Sequence, residues 1–333
     1  MPMFFNGVEV TGTSDFYFNG VSMEKVFFNQ VAVWEKGPNV IGVYHGGGTA
    51  TVAVVNTVTR INYLGVQVGS ETSVGRARRD HGAGRASAVA VFYGGWDGDK
   101  LNTVTRVNSS GVIVGAETAV GLAKFHNAGT GVGVNALFFA GKEWSSFYKI
   151  VTRISSSGTL VGSETLAGAT FKSTIAGAGI GNVGVFYGGF ELNFGAMNRI
   201  TVIADTGLQV GGDTWLGTYR EAFAGASSTD TGIYYGGYRG DFPAPGQGTW
   251  YSTVTRLTST GTQVGSETSV GLPRSVLSGA GLGDVGVFYG GWQLSVGKPI
   301  NSVVKINKSG TIIGSESSLG TARERVNGAE ATI

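Results

Sequence analysis

Apolar and small residues along this chain gather into short runs that end in a glycine pair. The clearest is Gly184-Val-Phe-Tyr-Gly-Gly-Phe190, which returns as Ala90-Val-Phe-Tyr-Gly-Gly-Trp96, Gly232-Ile-Tyr-Tyr-Gly-Gly-Tyr238 and Gly286-Val-Phe-Tyr-Gly-Gly-Trp292. Weaker copies stand at Gly42-Val-Tyr-His-Gly-Gly47 and Ala136-Leu-Phe-Phe-Ala-Gly141. The first small residue of each pair falls at 46, 94, 140, 188, 236 and 290, so a unit recurs about every fifty residues. After each pair come a variable loop, a β-branched strand such as Asn102-Thr-Val-Thr-Arg-Val107, a tight turn such as Asn108-Ser-Ser-Gly111, and a last strand. The turn glycine recurs at 65, 111, 158, 207, 261 and 310, with another glycine four residues on each time. Units of this length and strand content predict six four-stranded blades.

The ends of the pattern interlock. Blade one begins at Val40-Ile-Gly-Val-Tyr44 without an opening strand, and Arg323 to Ile333 reads as an opening strand with nothing after it. The last strand is therefore expected to complete the first blade and close the ring, which leaves no open sheet edge. Residues 1–37 differ in kind. Phe5-Asn-Gly7, Phe18-Asn-Gly20 and Phe28-Asn-Gln30 are followed by alternating runs, the signal of hairpins with type I′ turns. Gly37-Pro38 marks the boundary, so the expected domains are a hairpin module over 1–37 and a propeller over 38–333. Hairpins this small bury no core alone, so the module should lean on the propeller, a partner or copies of itself.

Composition narrows the function. Glycine supplies 58 of 333 residues, yet 41% of residues are hydrophobic and no Gly-X-Y period exists, which excludes collagen and disorder. A net charge of +2 without basic clusters gives no footprint for nucleic acid. No apolar run is long enough for a membrane helix. With no cysteine there is no disulfide or thiol chemistry. The start, Met1-Pro-Met-Phe-Phe-Asn6, lacks the regions of a secretory signal, so folding in a cytoplasm without export by the usual route is expected.

A basic residue after a small-residue segment (Arg78, Lys124, Arg220, Arg274, Arg323), a glycine-rich strand, the Tyr-Gly-Gly end and an Asn-x-Val strand together resemble the kelch repeat, six times in phase over residues 39–333. Blade three departs, with Phe171 at the basic position and Ala140 in the glycine pair; blade four has Val202 where other third strands carry Arg or Lys. The Phe-Asn-Gly-Val hairpins ending in Val-Trp-Glu resemble the N-terminal modules of bacteriophage tail and appendage proteins. This second resemblance implies a virion protein, present in multiple copies and docked to other virion proteins through residues 1–37.

Candidate chemistry is sparse. Arg60, Arg106, Arg153, Arg256 and Lys305 stand five residues before the turn glycine, and Glu71, Glu117, Glu164, Asp213, Glu267 and Glu316 six after it. An active site is made once, so charges repeated in every blade read as structural ion pairs or turn locks, their facing set by the register of the turn. His45, His81 and His126 have no carboxylate cluster at metal-ligand spacing, so neither metal nor cofactor is expected. Ala204 to Trp215 is similar to the structural Asp-box turn of sialidase-like propellers, but the once-only arginine cluster of those hydrolases is not evident. No catalytic residue is assigned.

The loops after the glycine pairs are what the repeat leaves free. Strand alternation puts them, with the links between blades, on one face, and they carry Trp96, Trp144, Tyr148, Phe190, Tyr238, Trp250, Tyr251 and Trp292. Amphipathic rings on a loop-bearing face suit binding, including stacking on sugars. For Trp96, Phe190, Tyr238 and Trp292 the alternative is packing against the next blade. The expected protein is a non-enzymatic, six-bladed, kelch-like virion propeller whose loop face contacts a host-surface glycan or protein. A purely structural decoration protein and a propeller glycoside hydrolase are the alternatives.

Overall fold

The computed structural model describes residues 40–191, 194–240 and 248–333, together with the backbone of short strands within 1–39. Two compact units divide the chain, Met1–Asn39 and Val40–Ile333. In the first, Met3–Phe5 pairs with Val8–Val10, Phe16–Phe18 with Val21–Met23, and Lys25–Phe28 with Val31–Glu35. Each register leaves two residues for the connection, as Phe5 stands opposite Val8 and Phe18 opposite Val21. The turn conformations expected at the Asn-Gly pairs, the Gly37-Pro38 boundary and residues 241–247 of the long loop in blade five lie outside the described residues.

The second unit is an all-β, six-bladed propeller. Blade two shows the plan: Gly82–Ala86, Val89–Tyr93, Thr103–Val107 and Thr118–Ala119 pair antiparallel in chain order, from the axis to the rim. Blades three to six repeat it, opening with Ala128–Val132, Ala176–Ile180, Ala224–Ser227 and Ser278–Leu282. Blade one takes its inner strand from the far end of the chain. Asn327–Thr332 pairs with Val40–His45, Asn327 opposite His45 and Thr332 opposite Val40, and stands between the inner strands of blades six and two. The ring closes through its C-terminal strand.

Glycine-rich inner strands follow from the crowding at the axis. A Cβ on Gly179 would sit 1.9 Å from the Gly131 carbonyl oxygen, and one on Gly281 would sit 1.9 Å from that of Ser227. Backbone therefore fills the centre, leaving axial cavities of about 30 and 50 Å³.

Aromatic rings join each blade to the next. His45 meets Phe92, Tyr93 meets Phe138, Phe139 meets Phe186, Tyr187 meets Tyr234, Tyr235 meets Phe288, and Tyr289 meets Tyr44, with centroids 5.0 to 5.5 Å apart. Most are edge to face, an arrangement that adds about 0.5–1.5 kcal/mol beyond the buried area. Tyr93, Tyr187, Tyr235 and Tyr289 also donate to the link toward the next blade, Tyr93 to the Leu122 carbonyl at 2.6 Å and Tyr235 to that of Leu272 at 2.9 Å.

A buried cation stands in every wedge between blades: Arg78, Lys124, Lys172, Arg220, Arg274 and Arg323, all at most 1% exposed. Arg78 donates to the Gly94 and Thr103 carbonyls at 3.1 and 2.8 Å, to Thr105 Oγ1 at 2.7 Å and to Glu117 Oε1 at 2.9 Å. Lys124 and Lys172 donate to Thr152 and Thr201 at 3.0 and 2.7 Å. This corrects the reading of blade three's link, where Phe171 seemed to hold the basic position. The link there is one residue longer than the others, so Lys172 enters the wedge and Phe171 is pushed out, 53% exposed.

The periodic carboxylates belong to this wedge. Glu117, Glu164, Asp213, Glu267, Glu316 and Glu71 each accept the backbone N–H of a link residue, from Arg76, Leu122, Ala169, Thr218, Leu272 and Thr321. The third-strand cations face the other way. Arg60, Arg106, Arg153 and Lys305 reach carbonyls in the turn of the following blade: Ser109, Ser156, Asp205 and Leu64. The turn glycines make room for them, since a Cβ on Gly111 would press on Arg60 at 3.1 Å. In blade four Val202 replaces the cation, and Gly261 packs on Ile200 and Val202 instead.

Candidate functional site

Two regions of the loop face break the repeat. The first is the mouth of the axis. Asp80, His126, Thr174, Ala222, Val276 and Arg325 occupy one equivalent position per blade, and all six hold a left-handed backbone with φ between 50° and 57°. The N–H of each of the last five donates to the carbonyl of the preceding blade's residue, from His126 to Asp80 at 2.6 Å through Arg325 to Val276 at 2.7 Å. For β-branched Thr174 and Val276 this conformation is costly and is held by the ring of hydrogen bonds.

Asp80 grips both neighbouring blades, with His126 Nε2 at 3.2 Å and Arg325 Nη1 at 3.3 Å. Burial alone would raise its carboxyl, but His126, Arg325 and Arg79 bring it down to about 2. Glu221 is pushed up by burial, although it accepts the Thr174 hydroxyl at 3.0 Å. The mouth holds only about 70 Å³ and its charges are mutually spent, so it locks blades together and leaves little room for a ligand.

His45 and His81 lie deeper, edge to face at 5.4 Å, and burial lowers His45 to about 3 and His81 well below its ordinary value. Among the described residues no cluster of three or more His, Asp or Glu side chains is placed to hold a metal.

The second region is an arc of grooves over blades three to five. One cavity, about 470 Å³, lies between the hairpins of blades three and four and is walled by Phe147, Phe171 and Phe194, with Thr170 and Glu191 also lining it. Its neighbour, about 340 Å³, lies between the hairpins of blades four and five, lined by the same Phe194 with Trp215, Tyr219 and Arg239. Phe194 is 71% exposed and Trp215 51%. Cations hold several of these rings in place: Lys149 over Phe171 at 5.3 Å, Arg199 over Trp215 at 4.2 Å and Arg239 over Tyr219 at 5.7 Å.

The sequence-predicted residues share this face but line neither cavity. Trp144 is exposed, its edge on Phe125. The others are half-buried. Trp96 lies under Arg79 at 4.6 Å, Phe190 stacks on Phe147 at 6.1 Å, Tyr148 donates to Glu143 at 2.5 Å, and Tyr238 leans on Trp250 at 5.5 Å. Tyr251 donates its backbone N–H to Gly237, and Trp292 bridges by its backbone to Ser275.

The groove residues carried a signal that a search for loop aromatics misses. The residue before the buried cation is Ala77, Ala123, Phe171, Tyr219, Pro273 and Ala322 around the ring, aromatic only at the links leaving blades three and four. The outer strands read Ser73, Ala119, Leu166, Trp215, Ser269 and Ser318 at their second position, large and apolar only in the same two blades. Aligning the six units and asking which repeat position is broken in one arc would have found Phe171, Tyr219 and Trp215. Comparison with protein-family models returns no match, and neither does comparison with curated protein sequences.

Proposed function

We propose that this chain is a non-enzymatic virion protein of the bacteriophage tail or appendage kind, whose propeller uses its loop face to bind a molecule of the host surface. The observation that carries the binding role is the pair of adjoining grooves over blades three to five, walled by exposed aromatics where the repeat is broken. Nothing in the fold needs Phe171, Phe194, Trp215 or Tyr219 in water, since four other blades manage with Ala, Pro or Ser at two of those positions. Exposed apolar surface kept in one patch marks an interaction site. The appendage part rests on the kelch-like repeat joined to Phe-Asn-Gly hairpins, a pairing that resembles a receptor-contacting body on a docking module.

Labelled full chain applied to a panel of bacterial strains tests the reading. Binding to some strains is expected, and it should fall at least tenfold when Trp215 and Phe171 are both changed to serine. A chain that binds no cell, while the same double variant prevents particle assembly, would instead make the face a contact between virion proteins.

A further inference from the structure

Resting on the reading of the loop face as a receptor surface, we propose that the cavity between blades three and four is a subsite for a neutral pyranose sugar. The sugar would lie with its C–H face on the phenyl walls and its hydroxyl edge against Glu191 and Thr170. Two independent observations meet in this cavity. Its walls are the rings of Phe147, Phe171 and Phe194, and its volume of about 470 Å³ falls within the range of small-molecule sites. Glu191, a residue only 9% exposed, and Thr170 also line the cavity, and Glu191 Oε2 and Thr170 Oγ1 are buried without a hydrogen-bond partner. A buried acceptor without a donor is costly unless something supplies one.

Blades two and three show the corner closed. Asp97 stands at the position of Glu191 in blade two and is taken by Arg76 of the incoming link at 2.5 Å. Glu143 stands there in blade three and is taken by the Tyr148 hydroxyl at 2.5 Å and by Lys100. The longer link into blade four brings Ala169 and Thr170 to that corner, so no side-chain cation arrives from it. A ligand in the cavity can supply the missing donors.

Charge decides what kind of donor. Lys142 already covers the Phe147 ring at 5.8 Å and Lys149 the Phe171 ring at 5.3 Å. Buried Lys172 also feels the Glu191 carboxylate, which favours its charged form. A cationic ligand would meet these ammonium groups around a single carboxylate. A neutral polyol would not, and its adjacent hydroxyls can both donate to one carboxylate.

Ligand-observed saturation-transfer NMR on the full chain tests this with methyl glucoside, methyl galactoside and methyl mannoside, and with choline and arginine as cationic probes. Transfer from at least one glycoside is expected. Thr170→Arg, which supplies the partner that Asp97 has in blade two, should fill the cavity and weaken that glycoside about tenfold or more without lowering the melting temperature. Should Thr170→Arg fail to fold, Glu191→Ala is expected to give the same loss. Signals from choline or arginine alone overturn the ligand class. A glycoside signal unchanged in the folded variants overturns the location, and no signal from any probe overturns the subsite. Cell binding measured in parallel separates the two readings. Cell binding retained in full by Thr170→Arg sinks the subsite alone, whereas a chain that binds no cell sinks the receptor reading however the glycosides behave.

Discussion

Phe171 and Lys172 are neighbours in the chain, as are Tyr219 and Arg220, and in both pairs the usual burial is inverted. The aromatic stands in water, 53% and 43% exposed, and the cation is sealed in the wedge between blades, 1% and 0% exposed. The wedge obeys the repeat. Its cation is answered by a threonine in five of the blades and by the Ser302 hydroxyl in blade six, where Val304 replaces the threonine. The groove above it obeys no repeat. A position fixed in all six blades is doing what every blade needs, whereas one altered in a single arc is free of that need and open to selection for a ligand.

The comparison predicts a large asymmetry in stability. Arg220 donates to the Gly236 and Thr253 carbonyls at 2.8 and 2.7 Å and to Thr255 Oγ1 at 2.6 Å. Changing Arg220→Met keeps much of the volume and strands those acceptors in a dry wedge. Breaking one side of a buried charged network costs about 3–5 kcal/mol. Urea unfolding should show a loss of that order. A loss under about 1 kcal/mol would mean that water enters the wedge and that its buried appearance is no guide to energetics.

Much of this contrast was legible in the sequence, and the part that was not has a physical cause. Four Tyr-Gly-Gly strands and two weaker copies in phase made the blades plain, and the missing first strand of blade one matched the surplus strand at the end. The charged partners of Glu117 and its equivalents were hidden, because they come from the link between blades and not from the arginine of the neighbouring third strand, which contributes only the Thr105 hydroxyl. Local spacing suggested Arg106, which the pleat turns toward the next blade. The one-residue extension before Lys172 misled for the same reason: position was counted along the chain, while the wedge selects whichever cation can reach it. The eight loop aromatics drew attention because they are large. Phe147, Phe171, Phe194, Trp215 and Tyr219 line the two cavities, and other blades have nothing comparable at several of their positions.

A smaller effect separates the wedges from one another. Lys124 and Lys172 are lowered by burial to about 8, against an ordinary value of 10.5, with Glu164 and Asp213 opposing the shift. A lowered folded value means that the unfolded chain holds the proton more tightly, so protonation works against folding. Stability contributed by these two sites should rise with pH from about 8 until the unfolded lysines also lose their protons near 10.5. Tyr235 acts in the opposite sense, and so do Tyr44, Tyr93, Tyr187, Tyr234 and Tyr289, all raised by burial, so that six phenols outweigh the two lysines above about pH 10. Burial pushes Tyr235 up to about 12 from 10.0, so stability falls above about pH 10 as the unfolded phenol ionises first. The melting temperature should climb between pH 8 and 9.5 and decline beyond 10. Changing both lysines to arginine, the residue of the other four wedges, should flatten the climb; a climb of unchanged height would assign it to other groups.

The smallest expected change is the one that bears most on function. Phe171→Ser and Trp215→Ser remove rings that are half in water, and each gives up one cation–π contact, worth about 0.5–1 kcal/mol at an exposed site. The folded chain should therefore lose no more than about 1 kcal/mol at either position, well below the cost at Arg220. Trp250→Ala provides the control. Trp250 is half-buried against Tyr238 and lines neither groove, so its loss should cost more stability than Phe171→Ser and leave cell binding intact. The contrast would fail if Trp250→Ala abolished binding while the two serine variants kept it. In that case the receptor would sit on the long loop of blade five, and the aromatic arc over blades three and four would serve some purpose other than recognition.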